Sequence, residues 1–181
     1  MFIFAKIALV SSLLFSPAMA LAEDVHKLAS IKGDLGIDLK AFDHAMAGAV
    51  RDFVIWGSVN ETTNTSELIM RRDGQDVRSI FAPAEKSFGG VIMHQTSKGV
   101  KATSIRFLGL DRQKNEYSFL VNGQKIITSV VGEEFKNNHF IKPTFTISGK
   151  DLGDISFKFD GEACYKYSLH IITMMIAATM H

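Results

Sequence analysis

The sequence YSFLVNGQKIITSVV, residues 117–131, decides the fold class because it has the features of one complete β-hairpin. Aromatic and β-branched residues lie on both sides of Asn122-Gly123. This pair is strongly preferred in two-residue hairpin turns, since Asn and Gly adopt positive φ angles more readily than other residues. The stretch therefore predicts two antiparallel strands, 117–121 and 125–131.

The same alternation of strand-like runs and turn residues continues over most of the chain. Asp73-Gly74 and Ser97-Lys98-Gly99 supply two further turns between such runs. A long meander twists and leaves exposed edges, so it tends to close on itself. We expect a mainly β protein, an antiparallel meander of about eight or nine strands closed as a barrel or a two-layer sandwich. The other candidate strands are residues 54–59, 66–72, 77–81, 91–96, 100–108, 140–147 and 155–159.

One amphipathic helix is predicted near the N-terminus, beginning at Asp38. Apolar residues recur there at three- and four-residue steps, which places them on one helix face. Asp38 can cap the first turn through its carboxylate. The alternative is an α+β fold, with this helix packed on one curved antiparallel sheet. The apolar residues of the pattern are Leu39, Phe42, Met46, Ala49, Val50 and Phe53.

Residues 164–180 are expected to form a final core strand because Ile171, Ile172 and Thr173 are β-branched. The alternative is a terminal helix docked in a groove or against a partner. Cys164 is the only cysteine, so no disulfide can form within the chain. We expect its thiol to be buried as a small apolar group, with an intermolecular disulfide as the alternative.

Twelve aromatic residues are expected to fill the interior of the barrel or sandwich. If the interior is wide, some of them would instead line a pocket for an apolar ligand. They are Trp56, Phe81, Phe88, Phe107, Tyr117, Phe119, Phe140, Phe145, Phe157, Phe159, Tyr165 and Tyr167.

Residues 1–22 are expected to be a signal peptide. Lys6 precedes an apolar run, and Ala18-Met19-Ala20 supplies small residues for cleavage. The run is shorter than the ~20 residues that span a bilayer, so we expect no transmembrane segment in the mature chain. Residues 23–181 would then form a single β-rich domain that is periplasmic or secreted.

Charge and motif content argue against several function classes. The 20 basic and 19 acidic residues include only Lys6 within residues 1–22, which leaves 19 of each sign in the mature chain. Such a chain has no global field that attracts nucleic acid. The six histidines show no zinc-site spacing, and no serine elbow is present. We therefore predict no enzymatic activity, no metal and no cofactor.

Two groups of polar residues are candidate binding residues. Arg71, Arg72 and Arg78 flank the Asp73-Gly74 turn and could contact a phosphate, a carboxylate or an acidic partner. Lys136 and His139 lie in a second polar stretch that could be displayed at a loop tip.

The sequence thus predicts an exported, non-enzymatic binding protein of the cell envelope or extracellular space. It would act through a protein or an envelope component, with inhibition of another protein as one form of that contact. One alternative is a carrier of a small apolar ligand in an aromatic-lined cavity. Another is an accessory subunit of a secretion or surface-fibre assembly, whose apolar C-terminal segment completes a neighbour's sheet.

Overall fold

Twelve strands close into an antiparallel barrel in this computed structural model, which describes residues 29–42, 44–84 and 87–180. Strands β2 to β10 follow one another around the wall, β13 and β14 continue it, and β1 pairs with both β14 and β2 to close it. The barrel strands are β1 Ala29–Gly33, β2 Ile37–Ala41, β3 Ala45–Val50, β4 Phe53–Asn60, β5 Thr65–Arg72, β6 Gln75–Ala84, β7 Ser87–Thr96, β8 Gly99–Asp111, β9 Glu116–Val121, β10 Gln124–Val131, β13 Thr144–Gly149 and β14 Gly153–Phe159.

The two ends of the barrel differ. At one end, here called the hairpin end, short turns at 51–52, 73–74, 97–98 and 122–123 join neighbouring strands. The opposite end, the helix end, carries a three-stranded sheet and the start of a helix, α1. The elements at this end are β11 Glu134–Lys136, β12 His139–Ile141, β15 Glu162–Cys164 and α1 Tyr165–Thr179.

Helix α1 runs into the barrel and fills its lumen. Every residue from Ile172 to Thr179 is buried, so the helix is enclosed on all sides rather than along one stripe. A barrel of eight strands is just wide enough for side chains to fill, and twelve strands enclose more space than side chains alone can occupy. The helix supplies the missing volume.

The wall next to α1 carries small inward-facing residues. Gly57, Ser66 and Ser79 are buried on β4, β5 and β6, and a Cβ atom added to Gly57 would lie 2.7 Å from Met174 Sδ. The opposite wall is lined with large rings, and Phe145 and Phe157 stack there at 5.0 Å between centroids. The helix is therefore seated off-centre, against the wall with the smallest side chains.

The expectation of a closed antiparallel β fold is confirmed, but the barrel has twelve strands rather than eight or nine. The strands that were not predicted come mainly from the segment assigned to an N-terminal helix. Ile37, Leu39, Met46 and Val50 are inward-facing residues of two short strands. Their period-two alternation, interrupted by the β2–β3 turn, produces the three- and four-residue spacing that suggested a helix.

The C-terminal segment is a helix, so the prediction of a final core strand is wrong. A strand in the lumen of a closed barrel would have no free edge to pair with, whereas a helix satisfies its backbone hydrogen bonds internally. Trp56 also differs from the prediction, because 52% of its surface is exposed on the outer wall. The predicted signal peptide lies outside the described residues.

A larger side chain at position 57 should weaken the packing of α1 against β4, because Met174 lies close to Gly57. We expect Gly57→Val to destabilise the fold by about 1–3 kcal/mol through overpacking against Met174. Gly89→Val is the matched control, since the nearest atom to its added Cβ is Ile105 O at 3.5 Å. Urea unfolding of both variants measures the difference, and equal losses would contradict the packing described for α1.

Candidate functional site

The five candidate binding residues lie in two places. Arg71, Arg72 and Arg78 lie on strands β5 and β6, towards the hairpin end of the barrel. Lys136 and His139 face each other on β11 and β12 at the helix end. The two groups therefore belong to different surfaces and do not form one site.

Arg72, which is partly exposed, makes close contacts with three other residues at the hairpin end of the barrel. Its Nη1 donates to both carboxylate oxygens of Asp52, at 2.8 and 2.7 Å, and its Nη2 donates to Gln75 Oε1 at 2.8 Å. Its guanidinium carbon also lies 4.4 Å from the centroid of the Phe53 ring. The hydrogen bond from Arg72 lowers the pKa of the Asp52 carboxyl. These contacts tie the β3–β4 turn to the β5–β6 hairpin.

Arg71 and Arg78 are held more loosely and share one carboxylate. Arg71 Nε lies 3.4 Å from Asp76 Oδ1, and Arg78 Nη2 lies 3.3 Å from Asp76 Oδ2. Charge-assisted hydrogen bonds of good geometry are about 2.7–2.9 Å long, so both contacts are weak. Asp76 is thus the carboxylate that both guanidinium groups contact, while the exposed Glu67 lies further along β5, opposite Ile80.

Trp56 lies beside this pair of arginines. It faces outwards between Ala47 and Ile69 on the adjacent strands, and Ile69 is in turn opposite Arg78. Trp56, Val54 and Ile80 are 52%, 70% and 39% exposed. The following residues form what is here called the Trp56 face: Val54, Trp56, Ile69, Arg71, Asp76, Arg78, Ile80 and Met93.

The arginines of this face could be identified from the sequence, whereas Trp56 was assigned to the interior. The signal that places Trp56 on the outer wall is its alternation along β4 with Phe53, Ile55 and Gly57. These three residues are buried and alternate with Val54 and Trp56, which must then point to the opposite side of the wall.

At the helix end, Lys136 and His139 flank a tight turn formed by Asn137 and Asn138. Both asparagines have positive φ angles, 50° and 61°, as a type I′ hairpin turn requires. His139 Nδ1 donates to the carbonyl oxygen of Asn137 at 2.8 Å. The hydrogen bond fixes the imidazole against the turn, while Lys136 extends into solvent.

The interior offers limited space beside the helix. A cavity of about 60 Å³ lies between α1 and strands β1 to β4, near Cys164, which is partly buried. A water molecule occupies about 30 Å³ of liquid, so this volume is small for an apolar ligand. The carrier hypothesis stays a prediction, and on this fold a larger cargo would require α1 to move.

His170 connects α1 to the loop between β4 and β5. Its Nε2 lies 2.9 Å from Asn64 Oδ1, while its Nδ1 has no hydrogen-bond partner among the described residues. The ring contacts Phe81 and Phe88 edge-on, with centroid separations of 6.3 and 6.2 Å. Burial lowers the pKa of His170, since a charged imidazole would be desolvated there.

Other chemistry-bearing groups are few in the described residues. Burial raises the pKa of Tyr117 to about 12, which keeps the phenol protonated. No cluster of three or more histidine, cysteine or acidic side chains is placed to hold a metal ion in residues 29–42, 44–84 and 87–180. Within those ranges, no helix has the length and apolar character needed to cross a membrane.

Comparison with known proteins found no match for the chain among family models, curated proteins or solved structures.

The burial of His170 predicts a stability that depends on pH. The unfolded chain takes up a proton near pH 6.5, whereas the folded protein resists it until a lower pH. The free energy of unfolding should therefore fall as the pH drops below about 6.5, and level off below the folded pKa.

Thermal unfolding between pH 7.5 and pH 4.5 measures this effect in the wild type and in His170→Gln. Glutamine can still donate to Asn64 but cannot take up a proton, so the variant should lose the His170 part of the slope. His44→Gln changes an exposed imidazole and is the control. An unchanged slope in His170→Gln would show that other groups carry the pH dependence.

Proposed function

We propose that this protein is an exported, non-enzymatic binding protein that recognises a protein partner of the cell envelope or extracellular space through the Trp56 face. The observation that carries the proposal is the half-exposed Trp56, flanked by Val54, Ile80 and two weakly paired arginines.

The composition of the face fits a protein–protein contact. Tryptophan and arginine are the residues most often found at the energetic centre of such interfaces. Trp56 lies on rigid strands between Ala47 and Ile69, so little side-chain entropy would be lost when a partner covers it.

Charge defines the chemistry of the partner. Arg71 and Arg78 share the carboxylate of Asp76 at 3.4 and 3.3 Å, so each guanidinium group keeps donors free for a second carboxylate. A partner with an apolar recess for Trp56 and a carboxylate at its rim would complete both contacts. Its carboxylate would pair with an arginine at shorter range than Asp76 achieves.

A cross-linking experiment tests the face directly. A photo-reactive amino acid in place of Val54 should give a discrete cross-linked product in cells that export the protein, since position 54 is 70% exposed within the face. The matched control is the same amino acid in place of Val131, which is 69% exposed and lies on β10, away from the face. Equal products at both positions would indicate non-specific contact and contradict the proposal.

Trp56→Ala should abolish the cross-link at position 54 and weaken partner binding by roughly 2 kcal/mol or more, as removal of a central anchor does. Arg78→Ala should weaken binding less and reduce its dependence on salt. The affinity of the isolated partner for each variant, with Val131→Ala as control, is the measurement. An unchanged affinity in Trp56→Ala would exclude this face.

A further inference from the structure

A second surface at the helix end carries a different set of groups. An open depression of about 440 Å³ lies beside the start of α1, and is here called the rim depression. The β8–β9 loop, the β11–β12 hairpin and α1 all contribute to it. It is lined by Arg112, Asn115, Phe135, Asn138, Phe140 and Tyr165.

Three aromatic rings form the apolar part of the rim depression. Phe135 and Phe140 lie 5.0 Å apart between centroids, and each is 5.9 Å from Tyr165. Phe140 is buried at 4% exposure, whereas Phe135 is 53% exposed. The packed pair of Phe140 and Tyr165 therefore supports an exposed phenyl ring on β11.

The guanidinium group of Arg112 has no partner within the described residues. It forms no ion pair, hydrogen bond or ring contact there, unlike Arg71, Arg72 and Arg78. The carboxylate oxygen Oδ1 of Asp111, the neighbouring residue, accepts the backbone N–H groups of Gln113 and Lys114 rather than a hydrogen bond from Arg112. An unpaired arginine beside aromatic rings is suited to an anion, since its planar fork matches a carboxylate.

Asn115 and Asn138 supply neutral polar groups. Their backbone carbonyls are already used, accepting the N–H groups of Val130 at 3.1 Å and Tyr165 at 2.9 Å. Their side-chain amides make no hydrogen bond with any described residue. Each amide can donate and accept, which is the capacity needed to bind a hydroxyl group.

We propose that the rim depression binds a saccharide that carries a carboxylate, such as a uronic acid. The C–H groups on one face of a sugar ring would pack on Phe135, whose ring face is weakly negative. The amides of Asn115 and Asn138 would bind the hydroxyl groups, and Arg112 would pair with the carboxylate. An aromatic acid would use the rings and Arg112 but would leave both amides unpaired. The sugar acid is the class that uses every group of the depression.

This site is separate from the Trp56 face, so each proposal can fail without the other. The probes are D-glucuronate, the neutral D-glucose and the aromatic phenylacetate, titrated into the protein and followed by NMR of the amide and arginine Nε–H groups. We expect saturable binding of glucuronate with shifts at Arg112, and binding of glucose at least about tenfold weaker, as loss of a charge-assisted hydrogen bond implies. Phenylacetate keeps the carboxylate but leaves the amides of Asn115 and Asn138 without a hydroxyl partner, so it should also bind more weakly than glucuronate. Phenylacetate that binds as tightly as glucuronate would overturn the saccharide assignment.

Polygalacturonate distinguishes a chain ligand from a single sugar. Tighter binding per sugar unit than that of free galacturonate would support a polysaccharide as the source of the ligand. Equal binding would support recognition of a terminal or free sugar acid. If none of glucuronate, galacturonate and polygalacturonate gives saturable binding at the rim depression, the proposal is wrong.

Variants assign the roles of the individual groups. Arg112→Gln should lower the affinity for glucuronate about tenfold or more, whereas Lys114→Gln removes the same charge from the same loop without lining the depression and should have little effect. Asn138→Gly keeps the positive φ of 61° because glycine adopts it readily, yet it removes the amide. Its affinity should fall several-fold while its unfolding temperature stays close to that of the wild type.

Phe135→Ala should weaken glucuronate binding without unfolding the protein, since the ring is 53% exposed. Equal losses in Arg112→Gln and Lys114→Gln would indicate general attraction of anions and would contradict a built site. Full binding in Asn138→Gly and Phe135→Ala together would contradict the roles given to the amide and the ring.

Discussion

The width of a twelve-stranded barrel is the constraint on which the rest of this structure depends. A closed wall satisfies the backbone hydrogen bonds of its strands but leaves a lumen that side chains alone do not fill. Whatever fills it must be apolar on every side and must satisfy its own backbone. Helix α1 meets both requirements, because it is buried all round from Ile172 to Thr179. The position of α1 also determines the size of the inward side chains. They are small near the helix, at Gly57, and large on the opposite wall, at Phe145 and Phe157.

Because α1 fills the lumen, the surfaces that the proposals concern lie outside the barrel interior. The cavity beside the helix measures about 60 Å³, whereas larger open depressions of about 480 and 440 Å³ lie at the hairpin end and at the helix end. The barrel wall also determines what those surfaces contain. Each outward residue of β4 to β6 is fixed by an inward neighbour, so Trp56 is exposed because Ile55 and Gly57 face the barrel interior. The rim depression depends on α1 as well, since Tyr165 is the first residue of the helix.

Much of the strand pattern could be predicted from the sequence, because hairpin signals are local. Asn122-Gly123 and Asp73-Gly74 are the turns that the structure contains, with the strands on either side of them. The helix could not be predicted in the same way. Residues such as Ile171 and Thr173 favour a strand locally, and only the closed wall, which involves pairing between β1 and β14, removes the edge that a further strand would need. The error at Leu39 and Met46 has a related cause, since two short strands with a turn between them reproduce helical spacing.

The candidate sites could be predicted from the sequence only in part, because some of their residues carry local signals and others do not. Arg71 and Arg78 could be identified because they flank a recognisable turn, but their neighbours Trp56 and Met93 come from other strands and depend on register. Arg112 gave no local signal, because what sets it apart is the absence of a partner among the described residues rather than any motif. Phe135 and Tyr165 meet beside it only because β11, β12 and β15 form a sheet at the helix end and direct the chain into the lumen. A surface assembled from three separate segments is a property of the closed barrel, and the helix that completes the core also places one of its aromatic residues at the rim.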